Sequence, residues 1–190
     1  MSSMAEDLIR RHRYTVEDYY RMAEVGILTP DVRVELIDGE VIEMPPIRAP
    51  HASVVNRLHT LLVEAVQGHA LVRGQSPLRL DRHNEPEPDL ALVRTRPSHY
   101  GSRHPGPKDT LLVIEVADSS LSYDRDRKLS LYARFDIPEV WLIDLSARTI
   151  RRYRIPGPTG YVESDLLADL LAVAVPGIPS VHLNLSRLLL

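Results

Sequence analysis

The sequence contains no cysteine. That single absence removes disulfides, zinc ribbons, iron–sulfur clusters and cysteine nucleophiles together. No apolar run reaches the roughly 18 residues needed to cross a bilayer. Residues 1–14 carry Arg10, Arg11 and Arg13 but no apolar core of a secretory leader, so a cytoplasmic protein is expected. No charge of one sign dominates: 23 basic and 26 acidic residues leave a formal net charge of −3. This is not the strongly basic balance of a protein that coats nucleic acid, although an enzyme acting on nucleic acid can gather carboxylates at one site and arginines on one surface. Lysine is nearly absent, with only Lys108 and Lys128 among the 23 cations. A codon bias toward arginine accounts for that in general, and it leaves the position of each lysine worth explaining.

What remains is ordinary for a folded chain: 190 residues, 44% hydrophobic and 26% charged, enough to bury a core without staples. A flexible arm over residues 1–13 and one domain over 14–190 are expected. Thr15-Val16-Glu17-Asp18 fits a capping box opening a short helix to about Glu24. Arg33 to Ile37 and Glu40 to Met44 alternate about Asp38-Gly39, which predicts a β-hairpin. From His51 to Val66, apolar residues recur at helical spacing, and Gly68 closes the helix. Strands are predicted over Leu71–Leu80, Asp89–Val93, Leu111–Ala117 and Val140–Leu145, with a second hairpin reaching Ile155. Arg94 to Lys108 is rich in Pro and Gly and reads as an exposed loop. Loop is also predicted over Asp118–Ser122, and helix over Asp124–Asp136. In the tail a short helix is expected around Leu166 to Val173 and a strand or turn near Val181 to Leu185. Strands with interspersed helices suggest an α/β or α+β fold with a mixed sheet.

Five positions are candidates for chemistry. Glu115 lies inside the dense strand Leu111–Ala117, sharing a face with Val113 and Ala117. A carboxylate there is costly unless it is paired or holds a cation. Asp89 follows Pro88 and so opens a strand, although a turn aspartate would look the same locally. Lys128 lies on the inward stripe of its helix with Leu131, Tyr132 and Phe135. Ammonium groups seldom point inward without an anion, although a lysine can also snorkel along a core edge. Only a short loop separates this helix from the Glu115 strand, so Lys128 can approach Glu115. Glu35 is on the first hairpin, and His51 begins a helix on its apolar side, where a capping or core histidine is the ordinary reading. Two or three carboxylates, a backbone carbonyl and one amine make a hard-oxygen cage for Mg²⁺ or Mn²⁺ beside a group able to orient water and offset phosphate charge. That is equipment for phosphodiester hydrolysis.

Pro88-Asp89 followed by Glu115-Val116-Ala117 resembles the PD-(D/E)xK nuclease motif, except that Ala117 stands where the lysine is usual. The stretch from Leu112 to Ser120, then Asp124 to Ala133, then Ile137 to Asp144 is similar to the Uma-type family of putative restriction endonucleases, formerly a domain of unknown function. In that family the motif lysine is thought to have moved onto the helix, where Lys128 stands. Val140 replaces the tyrosine usual before Trp141. Arg33 to Glu40, Pro46 and His51 are similar to the family's opening, so the resemblance spans roughly Tyr14 to Leu190. It implies a restriction-endonuclease-like α/β core with an N-terminal hairpin and a mixed sheet flanked by helices. It also implies Asp89 and Glu115 as ligands of Mg²⁺ or Mn²⁺ with the Val116 carbonyl beside them, and Lys128 as the catalytic lysine. Glu35 would be an accessory acid or second-metal ligand, with His51 a further candidate near the pocket. By analogy the chain would be a homodimer.

The expected activity is metal-dependent endonuclease cleavage of DNA. Its rivals are a non-catalytic nucleic-acid-binding or regulatory module on the same fold, a metal-dependent hydrolase of a small phosphorylated substrate and, less favoured, a purely structural dimer. Trp141 is expected to pack the sheet and Asp144 to meet an arginine at the strand end. The clusters Arg10/Arg11/Arg13, Arg94/Arg96 and Arg151/Arg152/Arg154 are either phosphate contacts or ordinary surface.

Overall fold

The computed structural model describes residues 11–118 and 124–189, with only the backbone of Asp124 and Arg125. The chain divides into two compact units, one of residues 1–44 with 80–86 and one of residues 45–79 with 87–190.

The first unit begins with α1 (Val16–Glu24). Its capping box is complete: the Thr15 hydroxyl accepts from the Asp18 amide, and the Asp18 carboxylate accepts from the Thr15 amide. The carboxyl of Asp18 is accordingly held below its usual range by the Thr15 hydroxyl and amide. Strands β1 (Val34–Ile37) and β2 (Glu40–Glu43) pair antiparallel across a two-residue turn. Asp38 and Gly39 both have positive φ, 54° and 75°, as the mirror-image hairpin turn requires. A side chain at Gly39 would also strike the backbone of Arg13 at 2.9 Å. Arg13 lies there because its Nε donates to the Asp38 carbonyl and the Tyr14 amide donates to the Gly39 carbonyl. The expected arm therefore meets the hairpin at its end, while residues 1–10 lie outside the described residues.

The second unit is built on a six-stranded sheet of order β3-β4-β5-β6-β7-β8. Its strands are β3 (Ala70–Gly74), β4 (Leu90–Arg94), β5 (Thr110–Ala117), β6 (Glu139–Asp144), β7 (Thr149–Gly157) and β8 (Gly160–Leu166). All neighbours are antiparallel except β5 and β6. A parallel pair needs a crossover connection, and the chain supplies one as a π-helical turn over Asp124–Lys128 running into α3 (Leu129–Arg134). Every residue of β5 is buried, as its apolar density predicts. One face of the sheet, with Leu90, Leu92, Leu112, Ile114, Val116, Trp141 and Ile143, packs in one core with Val54, Val55, Leu58 and Leu62 of α2 (Ala49–Val66). The alternate residues of β5, including Val113 and Glu115, point to the other face. Strands β9 (Val173–Val175) and β10 (Ile178–Leu183) form a separate hairpin whose Val173, Val175, Ile178 and Leu183 join the α2 core.

Four expectations require correction. No helix forms over Leu166–Val173: Leu166 pairs with Arg151, the Leu167 amide bonds to Ile150, and Val173 enters β9. The residues left between are too few to meet the cost of helix nucleation. The strand predicted to Leu80 stops at Gly74, because Gln75 takes φ 43° and Pro77 follows without an amide. The helix over Asp124–Asp136 starts as a π turn and ends at Arg134. Asp144 meets no arginine among the described residues; its carboxylate caps the Ala147 amide at 2.8 Å and so closes the turn into β7. The loop predicted over Asp118–Ser122 lies, from Ser119 onward, outside the described residues. Two of the arginines of the second hairpin are neutralised: Arg152 faces Asp165 and Arg154 faces Glu163 directly across β7 and β8.

The segment between β4 and β5 is less open than its composition predicts. Tyr100 is buried and its hydroxyl donates to the Arg94 carbonyl at 2.6 Å. Arg96 and Arg103 flank the Tyr100 ring and both reach the buried Asp109. Burial alone would raise the Asp109 carboxyl, but the Gly106 amide and the two guanidinium groups outweigh it and hold it below its usual range. A depressed carboxyl stabilises the fold above the ordinary carboxylate range, and that stabilisation is lost as pH falls through the lowered value. Asp109→Asn is therefore expected to cost about 1.5–3 kcal/mol at neutral pH. Urea unfolding at several pH values should show that penalty shrinking toward zero in acid.

Candidate active site

Glu115 sits on the central strand β5, facing away from the α2 core and almost wholly buried. Its Oε1 lies 3.2 Å from the Lys128 Nζ and accepts a hydrogen bond of 2.6 Å from the Tyr132 hydroxyl. Lys128 and Tyr132 are four residues apart on continuous helical backbone, so one face of the crossover delivers both donors to one carboxylate oxygen. Lys128 is only 1% exposed. The π-helical turn that ends at Lys128 is of a kind that recurs at functional sites.

Asp89 stands one residue before β4. The β3–β4 ladder continues through it, since its carbonyl accepts from the Gln75 amide. Its side chain extends the β4–β5 pairing beyond the last ladder pair, Leu90 with Ile114: Oδ2 accepts from the Val116 amide at 2.9 Å. The same Oδ2 is 3.0 Å from the His51 Nε2. An ionised carboxylate only accepts, so that nitrogen carries the hydrogen. His51 is in the first turn of α2, whose start is set by Pro50. The Asp89 amide lies 3.5 Å from the Glu115 Oε2, which places the two acids side by side.

The structure thus brings together Asp89, Glu115, Lys128 and His51 in the second unit. Glu35 belongs to the first unit, where it is fully buried on β1 opposite Ile42. Tyr132 is the member that sequence reasoning placed on the inward stripe without a role; its spacing of four from Lys128 was the available signal. Among the described residues, no group of three or more His, Asp or Glu side chains is arranged to hold a metal ion. The donor set nevertheless suits one kind of ion. Mg²⁺ keeps several waters and takes one or two carboxylates together with substrate oxygens, and Asp89 and Glu115 are two adjacent carboxylates with the Val116 carbonyl in the same strand segment.

Among the described residues, no helix is long and apolar enough to cross a membrane. The chain is similar over 92% of its length to the crystal structure of a protein titled a putative nuclease belonging to DUF820 from Anabaena variabilis, covering 97% of that chain with a TM-score of 0.69 and 17% identity. At that identity the likeness concerns the fold, and it agrees with the mixed sheet and N-terminal hairpin described above. No curated protein matches the sequence. Residues 16–186 match the family model Uma2, described as "Putative restriction endonuclease". The match covers most of the chain, including both acids, the helix-borne lysine and His51, and the protein belongs to the Uma2 family.

Proposed function

We propose that this protein is a metal-dependent endonuclease that hydrolyses phosphodiester bonds in DNA. The observation that carries the reading is the buried Lys128 amine held 3.2 Å from Glu115, itself beside Asp89. Taking an ion pair out of water costs several kcal/mol per ion, and a hydrophobic pair of equal volume is often as stable. An amine and two carboxylates gathered at the end of a central strand fit a catalytic task better than a packing one.

Asp89, Glu115 and the Val116 carbonyl would hold Mg²⁺ or Mn²⁺, which supplies a water of lowered pKa and polarises the phosphorus–oxygen bonds. His51 and the Val116 amide both bind Oδ2 of Asp89, which fixes the carboxylate plane. Tyr132 and Lys128 both bind Oε1 of Glu115 and fix the second carboxylate in the same way. The Lys128 amine then has two uses. It can hold the attacking water by its lone pair, and it can offset charge gathering on the phosphate oxygens as the bond to the leaving oxygen breaks. Glu35, which the family resemblance implies as an accessory acid, lies on β1 of the first unit.

Cleavage of plasmid and linear DNA with Mn²⁺, Mg²⁺ or EDTA tests the proposal. The wild type should cut with either ion and not in EDTA. Glu115→Ala and Lys128→Ala should lower the rate by roughly 10²–10⁴-fold. Because each leaves a buried charge without its partner, Asp89→Asn is added as a variant at a less buried position. Cleavage surviving in all three would place the chemistry elsewhere. Tyr132→Phe removes one donor from a buried carboxylate, and chemical unfolding should show a loss of about 1.5–3 kcal/mol. Its cleavage should fall less than that of Lys128→Ala, because the amine stays in place.

A further inference from the structure

We propose that the segment between β4 and β5, together with the β3 edge, is a cradle for the backbone of a nucleic-acid strand, with Arg73, Arg96 and Arg103 as its phosphate contacts. This rests on the nuclease reading and narrows it, because a small phosphorylated substrate would not need contacts so far from the acids.

The first observation is location. Arg73 on β3 lies directly opposite Ala91 on β4, and Ala91 lies opposite Val113 on β5. Side chains two residues apart share a face. Arg73, Ala91, Asp89, Val113 and Glu115 therefore lie on one face of the sheet. Diagonal neighbours across such a ladder are about 7–8 Å apart, which sets the spacing between the Arg73 and Asp89 backbones. From Asp89 the strand runs through the five residues Leu90–Arg94, about 17 Å at 3.3 Å each. The arginine-bearing segment begins where it ends. One strand of a duplex presents a phosphate every 3.4 Å of axis, so that span corresponds to about five phosphates.

The second observation is charge. Arg96 and Arg103 share a single carboxylate, Asp109, and Arg73 pairs with no carboxylate among the described residues. Two guanidinium groups thus share one acid and a third has none among the described residues, in a chain whose net charge is −3. The Nε of Arg73 is buried and donates to nothing among the described residues. Burial holds the guanidinium of Arg73 below its usual pKa, with the Tyr100 hydroxyl acting the other way, which ties Arg73 to the same cluster. A cation in that position gains from an incoming anion more than one already paired.

The third observation is order. Arg96 and Arg103 remain about half exposed, at 47% and 51% of their side chains. Yet each is held, by Asp109 on one side and by the Tyr100 ring at 5.8 and 5.7 Å on the other. Each guanidinium has five N–H donors; Asp109 takes two from Arg96 and one from Arg103, and the His104 carbonyl takes another from Arg103. The remainder are presented from a fixed position, so little side-chain entropy is lost when a phosphate arrives.

The test measures binding of a fluorescent DNA duplex in Ca²⁺ across a salt series, with thermal melts confirming the fold. Each lost phosphate contact should reduce the slope of log affinity against log salt by about 0.9. Arg73→Gln should show one such step and Arg73→Gln with Arg103→Gln two, at any DNA sequence. Asp109→Asn removes the carboxylate and leaves all three guanidinium groups in place, so the slope should be unchanged or steeper, and a shallower slope would count against the cradle. Folded variants with wild-type slopes would overturn the cradle while leaving wild-type cleavage in Mn²⁺ to support the nuclease reading. A wild type that neither binds nor cleaves DNA would overturn both.

Discussion

An ammonium group buried against a central-strand carboxylate is the constraint around which the sheet unit is arranged. Lys128 and Glu115 are 1% and 3% exposed, and neither would be stable there alone. Their meeting depends on chain direction. Because β5 and β6 are parallel, the chain must leave the end of β5 and return over the sheet before β6 can pair. The return segment carries the lysine. On the strand, Ala117 shares the face of Glu115, and a residue so small leaves that face open for an amine arriving from above. Lys128 and Glu115 are thus brought together by topology, not by adjacency in one strand.

The second acid is held by a different device. Asp89 lies where the β4–β5 ladder has run out of backbone partners, and its side chain takes over the pairing with the Val116 amide. Pro88 before it lacks an amide and marks that edge. His51 adds a second donor to the same oxygen from the start of α2, a helix held to the opposite face of the sheet by Val54, Val55, Leu58 and Leu62. Both carboxylates therefore have one oxygen bound by two donors, drawn from separate elements. That arrangement fixes both carboxylates within the folded chain, and charges fixed in advance act more strongly than mobile ones.

What could be read from the sequence follows from how local each cause is. The capping box at Thr15, the Asp38-Gly39 turn and the α2 stripe are set within a few residues, and each was legible. Glu115 and Lys128 were legible because each contradicts its surroundings: an acid in an apolar strand, a lysine on an apolar stripe. The failures are non-local. Leu166 to Val173 has helical spacing, but Arg151 and Ile150, more than a dozen residues earlier, claim its start for the sheet. The end of β3 at Gly74 depends on Gln75 adopting a left-handed turn opposite Asp89. The bond from His51 to Asp89 spans 38 residues, and no local pattern announces it. Tyr132 was visible as core and invisible as a donor, because a buried tyrosine ring looks the same whichever group its hydroxyl reaches.

The arginines illustrate why composition says so little about binding. With lysine almost absent, arginine must serve every cationic purpose, and the fold sorts those purposes by position. On β7, Arg152 and Arg154 face acids directly across the ladder and cancel them. Beside them Glu139, pushed above its usual range by burial, accepts from the Trp141 ring nitrogen. On that face each of the two arginines meets an acid. Between β4 and β5, two arginines divide one aspartate around a tyrosine ring, and β3 adds a third, Arg73, with no acid of its own among the described residues. A net charge of −3 therefore averages over a region where arginines and acids cancel and one where arginines outnumber the acid, and only position within the fold separates the two.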